Sequence, residues 1–193
     1  MNQTRTSALC NPASSVNVLG HENEFPDATF REIVRPNVDT LYSSAWLDIS
    51  SGPMVLTIPP IGDRYLLVAL FDAWTNNFAG ASNLDVLDSD KGETFVVALL
   101  GWEGQIPSNA TRFDAPTPFV WMLIRTEVHG VDDLAAANAI QNGMSLSPLE
   151  PCSSKSNVSS LNLKSNIAEC PVQPPPEVVG NLSGVEFLSL IHI

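Results

Sequence analysis

Val38-Asp39-Thr40-Leu41-Tyr42-Ser43-Ser44-Ala45-Trp46-Leu47-Asp48-Ile49 is the stretch that decides the fold class. Asp39, Leu41, Ser43, Ala45, Leu47 and Ile49 share one parity, while Val38, Thr40, Tyr42, Ser44, Trp46 and Asp48 share the other. Successive side chains of a strand point to opposite faces, so this alternation predicts a half-buried β-strand with the first set toward the core. Asp39 then has core parity and is expected to point inward unless the strand begins after it. An inward carboxylate needs a cation or several donors.

On the C-terminal side of that strand, Ser51-Gly52-Pro53 turns the chain into a second strand, Met54 to Ile58, and Pro59-Pro60-Ile61-Gly62-Asp63 forces another turn, most simply closing a hairpin. Arg64 to Asp72 is apolar on both parities and predicts a central strand covered on both faces. Thr94 to Leu100 and Pro118 to Val128 give two more strands, and the Ala-rich Val131 to Gln141, followed by Asn142-Gly143, gives a helix with a Gly C-cap. The expected fold is therefore mainly β (α+β): a sandwich-like antiparallel sheet of at least five strands, one Ala-rich helix after the last long strand, and a partial C-terminal helix.

With 193 residues, 44% of them hydrophobic and 16% charged, the chain can bury a core of domain size. Its net charge of −12 repels polyanions, which argues against DNA, RNA or anionic membrane as partners. The longest apolar run, Tyr65 to Phe71, is strand-sized, so no membrane span is expected. Beyond Pro148 the character changes: Cys152 to Lys164 is rich in Ser and Asn, and Pro171 to Pro176 reads as a stiff linker. Glu177 to Ile193 begins a helix pattern whose Phe187, Leu188 and Ile191 face lacks a cover. The expected organisation is an N-terminal extension over 1–20, a β-rich domain over 21–150, a linker over 151–180 and a helix start over 181–193 leading to a further domain.

Three cysteines are too few and too odd in number for a disulfide framework, although Cys152 and Cys170 bracket one polar segment that a bridge between them would close. Asn2, Asn109, Asn157 and Asn181 are Asn-x-Ser/Thr acceptors, compatible with export, although residues 1–10 show no leader pattern. His21, His129 and His192 are far apart and form no ligand pair, and the acidic stretch from His21 to Asp27 reads first as a solvated loop, so no metal is expected. The sequence holds no Gly-x-Ser-x-Gly elbow, no Walker A loop and no Gly-x-Gly-x-x-Gly, and hence no expected cofactor.

The informative polar residues fall into two clusters. One is Arg35-Pro36-Asn37-Val38-Asp39-Thr40-Leu41-Tyr42; the other is Asp72-Ala73-Trp74-Thr75-Asn76-Asn77, with Arg125 late in the long strand. One sheet end is expected to gather Asp39, Asp72, Arg35 and Arg125, ringed by Tyr42, Trp74, Asn76 and Asn77, provided the strands run in the needed directions. Such a rim suits a small-ligand or catalytic cleft, with carboxylates for acid/base work, arginines for an anion and aromatic rings for stacking. A structural network tying turns to the sheet is the reading that suits it first. Asp39 and Asp72 would act as a retaining glycosidase pair only at a separation of about 5–5.5 Å.

Glu24 to Arg31 and Arg35 to Asp48, followed in order by Gly62-Asp63-Arg64-Tyr65, Asp72 to Asn77, Gly101-Trp102-Glu103-Gly104 and Arg125 to Gly130, resemble the domain of unknown function 1254 family over about residues 20 to 150. The resemblance implies a β-rich domain, usually followed by a jelly-roll-like companion, domain of unknown function 1214. It brings no established activity. It marks Arg35, Asn37, Asp39, Tyr42, Asp72, Trp74, Asn76, Asn77 and Arg125 as signature residues. The helix that commonly precedes the first block is missing and the companion is not reached, so the chain is expected to be part of a larger two-domain protein. The leading functional expectation is a binding and assembly module that meets a companion domain or second subunit. The alternatives are an enzyme or small-ligand binder using the polar rim, and an exported surface or envelope protein.

Overall fold

The computed structural model describes residues 16–27, 29–30 and 36–149, all within one compact unit, Val16–Ser153. Its strands are β1 (Gly20–His21), β2 (Thr40–Asp48), β3 (Met54–Ile58), β4 (Leu66–Phe71), β5 (Asn77–Ser82), β6 (Glu93–Leu99), β7 (Ala110–Ala115), β8 (Phe119–Glu127) and β9 (Ser145–Pro148). A 3-10 turn, Val131–Asp133, leads into the helix α1, Leu134–Gly143. The first sheet is wholly antiparallel in the order β1-β2-β8-β4-β5; the second, β7-β6-β3-β9, has one parallel pair, β6 with β7.

The two sheets face each other across a shared core. Ala45, Leu47, Leu66, Val68, Leu70, Val120, Met122 and Ile124 from the first sheet pack with Met54, Leu56, Ile58, Phe95 and Val97 from the second. The expected parity of β2 holds from Leu41 to Ile49, all buried or nearly so at every second position. A smaller cluster, Leu41, Val128 and Ala137 with Phe25 and Leu134, seats α1 against one end of the first sheet.

Three local expectations are corrected. No hairpin joins β2 to β3 or β3 to β4, because the turns around Pro53 and Pro59-Pro60 carry the chain from one sheet to the other and back. The middle strand of the first sheet is β8, with β4 beside it. β4 is buried on one face only, and its Leu67, Ala69 and Phe71 remain partly exposed on the other. Burial on both faces belongs to β6, at Phe95, Val96, Val97 and Ala98. Finally, Gly143 is the last residue of α1 and not a left-handed cap; the cap residue Met144 is extended. Space explains Gly143, since a Cβ there would lie 3.0 Å from Pro59 Cγ.

The exit of β3 demands a second glycine. Gly92 has φ +75° and returns the chain toward β6, and a Cβ on it would overlap the Ile58 carbonyl oxygen and sit 2.8 Å from the Pro59 carbonyl carbon. Left-handed backbone alone costs an L-residue about 1–2 kcal/mol, and the overlap adds to it. Gly92→Ala is therefore expected to lower stability by more than about 2 kcal/mol in urea unfolding, whereas an alanine at the unobstructed, exposed Glu103 should be neutral within about 0.5 kcal/mol.

Candidate functional site

At one end of the first sheet, Asn37 builds the start of β2. Its Oδ1 accepts the N–H groups of Asp39 (3.0 Å) and Thr40 (3.3 Å), and its Nδ2 donates to the Thr40 carbonyl and to Thr40 Oγ1. This side-chain turn delays the strand until Thr40. Asp39 therefore precedes the ladder and is exposed, and its carbonyl accepts the Val128 N–H at 2.9 Å. The strand thus begins after Asp39, the case in which its parity does not turn it inward. Arg35 lies outside the described residues. Tyr42 and Arg125 stand directly opposite each other on β2 and β8, with the guanidinium 5.0 Å from the ring centroid.

Asp72 organises the other end. Its Oδ1 accepts the N–H groups of Trp74 and Asn76 (2.9 Å each), and its Oδ2 accepts Asn76 Nδ2 at 3.0 Å. Burial works to raise the Asp72 pKa, but the hydrogen bonds from the Asn76 side chain and from the Asn76 and Trp74 amides outweigh it and hold the carboxyl below its ordinary range. Thr75 takes φ +67° at the tip, Trp74 is exposed there, and Asn77 Nδ2 donates to the Leu70 and Ala79 carbonyls across the β4–β5 bulge. Asp72, Asn76 and Asn77 are thus consumed in holding the β4–β5 turn.

The two clusters do not meet. β8 runs antiparallel to both β2 and β4, so Asp39 lies beyond the Glu127 end of β8 and Asp72 beyond the Trp121 pairing. Six strand residues separate these levels, at least about 20 Å. That is far from the separation of a glycosidase pair, and Arg125 and Tyr42 share only the Asp39 end.

The densest charged group of the described residues lies at that end and was not singled out as a site in the sequence. Arg64, 6% exposed, donates to both carboxylate oxygens of Asp133 (2.5 and 2.8 Å) and to the Glu127 carbonyl. Glu127 Oε2 accepts the Tyr65 N–H at 2.8 Å and lies 3.2 Å from His129 Nε2, while the His129 N–H donates to Asp133. Residues from Gly62 to Tyr65 and from Arg125 to Gly130 are joined here, so their ordered blocks were the visible signal. The Arg64 hydrogen bond, then the His129 amide, holds the Asp133 carboxyl well below the usual carboxylate range; the Tyr65 amide, then His129, lowers Glu127.

A second polar set joins α1 to the sheet. Gln141, fully buried, donates through Nε2 to the Tyr42 carbonyl and to Ser43 Oγ (3.1 Å each), and Ser43 Oγ lies 2.7 Å from His21 Nδ1. This is the spacing of a hydroxyl and its base, but Ser43 is 1% exposed and no substrate can reach it. Burial lowers the His21 pKa, which favours the neutral imidazole beside the Ser43 hydroxyl. Among the described residues, no group of three or more His, Cys, Asp or Glu side chains gathers as a metal site. Nor is any described helix long and apolar enough to cross a membrane.

The outer face of the first sheet is built differently. Trp46, Trp121 and Phe71 form one row across β2, β8 and β4, with ring centroids 6.0 Å apart for the two tryptophans and 5.0 Å for Trp121 and Phe71. Trp121 Nε1 donates to Ser44 Oγ at 3.0 Å, whereas the buried Trp46 N–H has no acceptor. The next outward row is Ser44, Leu123, Ala69 and Gly80, and the one after it contains Tyr42, Arg125 and Leu67. Cys152, Cys170 and the 181–193 helix lie outside the described residues, as do the acceptors Asn2, Asn157 and Asn181; Asn109 is exposed in the turn before β7.

Two consequences of the charged group and the Asp72 turn are measurable. Arg64→Met leaves Asp133 and the Glu127 carbonyl without their buried partner and should cost about 3 kcal/mol; Asp72→Ala should cost about 1–3 kcal/mol by stranding turn amides. For pH, folded pKa values below 3.8 for Asp133 and 4.5 for Glu127 stabilise the fold above those values, and the gain is lost as pH falls. Depressed His21 adds a loss that begins below 6.5, while Glu22, raised by burial, works in the opposite sense. Urea midpoints should therefore fall steeply below about pH 4.5, and Asp133→Asn should flatten that slope.

The chain matches the family described as "Protein of unknown function (DUF1254)" over residues 16–148. Its fold is similar to the crystal structure of the VPA0106 protein from Vibrio parahaemolyticus, with a TM-score of 0.56 and 16% identity over 80% of this chain and 38% of that one. A putative uncharacterized protein from Burkholderia cenocepacia aligns with a TM-score of 0.44 and 17% identity over 64% of this chain and 37% of that one. The chain thus spans well under half the length of these solved relatives. No curated protein sequence matches it. The ordered residue blocks, the two-sheet architecture and the family match over most of the described domain lead to one conclusion: the chain belongs to the DUF1254 family of proteins of unknown function.

Proposed function

We propose that this domain is a binding module and that its contact surface is the outer face of the five-stranded sheet. One observation carries the reading: that face holds the cross-strand row Trp46, Trp121 and Phe71 beside a row containing the short side chains Ser44 and Ala69 and the bare Gly80. Aromatic walls beside a floor that beyond Leu123 drops to Ala69 and Gly80 accept a flat apolar group, and stacked rings offer such a group large contact at little entropic cost. The acid–base alternative has less support, since Asp72 is engaged in turn hydrogen bonds and lies at least about 20 Å from Asp39.

A second reading is assembly: the same face would seat a companion domain or second subunit. It is favoured by the small share of the Vibrio protein that this chain spans, 38%.

Titration with 2-naphthol, a neutral flat probe, tests the binding reading by calorimetry. Saturable one-to-one binding is expected, at least tenfold weaker in Trp121→Ala, with far-UV circular dichroism retained and stability lowered by about 2 kcal/mol. Absence of saturable binding, or binding indifferent to Trp121, overturns it.

A further inference from the structure

We infer that Arg125 is an anion anchor, and that the outer sheet face binds a planar aromatic carboxylate with its carboxylate on this guanidinium and its ring over the Ala69–Gly80 floor. The inference rests on the binding reading above and adds the chemical class of the ligand.

Charge pairing points to it. Among the described residues there are four Lys or Arg side chains. Arg64 pairs with Asp133 at 2.5 Å, Lys91 with Asp88 at 3.2 Å and Arg112 with Asp114 at 2.5 Å. Arg125 alone of the four has no carboxylate within ion-pair distance, although the chain has 21 acids and a net charge of −12. It is partly buried, and its contact is the Tyr42 ring beneath it. A ring face holds the flat side of a guanidinium but satisfies none of its five N–H donors.

The next acid along the same face of β8 is already engaged. Glu127, two residues along β8, accepts the Tyr65 amide and faces His129. The guanidinium edge is therefore left to an acceptor from outside, and the planar partner that matches a guanidinium with two parallel hydrogen bonds is a carboxylate.

Position supplies the rest. Arg125 and Trp121 are four residues apart on one face of β8, about 13 Å along the strand, with the Leu123 level between them. On β4 and β5 that intermediate level carries only Ala69 and Gly80, and Phe71 and Leu67 stand on either side. A fused two-ring body fits such an interval, its far edge toward Phe71 and Trp121 and its carboxylate toward Arg125. Tyr42, stacked on the guanidinium, fixes that group's orientation in advance of binding.

The test compares 2-naphthoate with its neutral counterpart 2-naphthamide by calorimetry on the full chain at pH 7.5. For the wild-type protein, naphthoate is expected to bind one-to-one and at least tenfold more tightly than the amide. Arg125→Gln should reduce naphthoate to the level of the amide and leave amide binding unchanged, and Arg125→Lys should keep only part of the preference. Equal affinity of the two probes for the wild type, or a naphthoate preference that survives Arg125→Gln, overturns the anion anchor while leaving the binding face intact. Failure of both probes to bind overturns the anchor and the face together. Should Arg125→Gln not fold, the wild-type comparison and Arg125→Lys decide.

Discussion

Everything in the first sheet depends on β8 being hydrogen-bonded along both flanks. Its nine residues pair with the whole of β2, from Thr40 opposite Glu127 to Asp48 opposite Phe119, and with β4 from Leu66 opposite Thr126 to Phe71 opposite Trp121. Both pairings are antiparallel, so β2 and β4 run in the same direction and their starts lie at one end. The same register sends Val120, Met122, Ile124 and Thr126 into the core and Trp121, Leu123 and Arg125 outward. A slip of one residue would exchange the two sets, burying Arg125 without a partner and exposing the core. Register here is fixed by the core, and the outer face inherits it.

That dependence explains which features could be read from the amino-acid order and which could not. Alternation is local, and the core parity of β2 and the bounds of β3 follow from a few adjacent residues. Pairing direction is not local. The gathering of Asp39 with Asp72 required a direction that the order of strands does not contain, and the actual one separates them. The Arg64 to Asp72 run is apolar on both parities, which suggests two covered faces; instead, its outward Leu67 and Phe71 flank a face that is only partly buried. β5, Asn-Phe-Ala-Gly-Ala-Ser, has no β-branched residue and was invisible as a strand, yet Gly80 there is what keeps the floor of that face low.

The acidity of the chain also finds a local use. Asp27, Asp48, Asp72 and Asp88 each accept the N–H two residues ahead, at Thr29, Ser50, Trp74 and Asp90, and Asn37 does the same for Asp39. Short acids fold back on their own backbone in this way and fix the turns of a sheet protein. These carboxylates look like chemistry in a sequence because Asp is a catalytic residue type, but one oxygen of each is already occupied by an amide. Asp85 belongs to the same class, accepting the Ser82 and Val86 amides.

Occupied and unoccupied polar groups therefore divide the molecule. The Arg64 group ties the loop before β4 to the end of β8 and the start of α1, and each of its charges meets a partner of opposite sign or an amide. The Asp72 turn is likewise closed on itself. A group whose hydrogen bonds are complete gains little from a ligand, since binding must first break what folding has made. Arg125 differs because the described residues around it supply a ring and no acceptor, so its donors have not been spent on that part of the fold. The sheet face it shares with Trp121 and Phe71 combines those donors with partly exposed rings, and for that reason the binding proposed for this domain is placed on a strand face and not at a strand end.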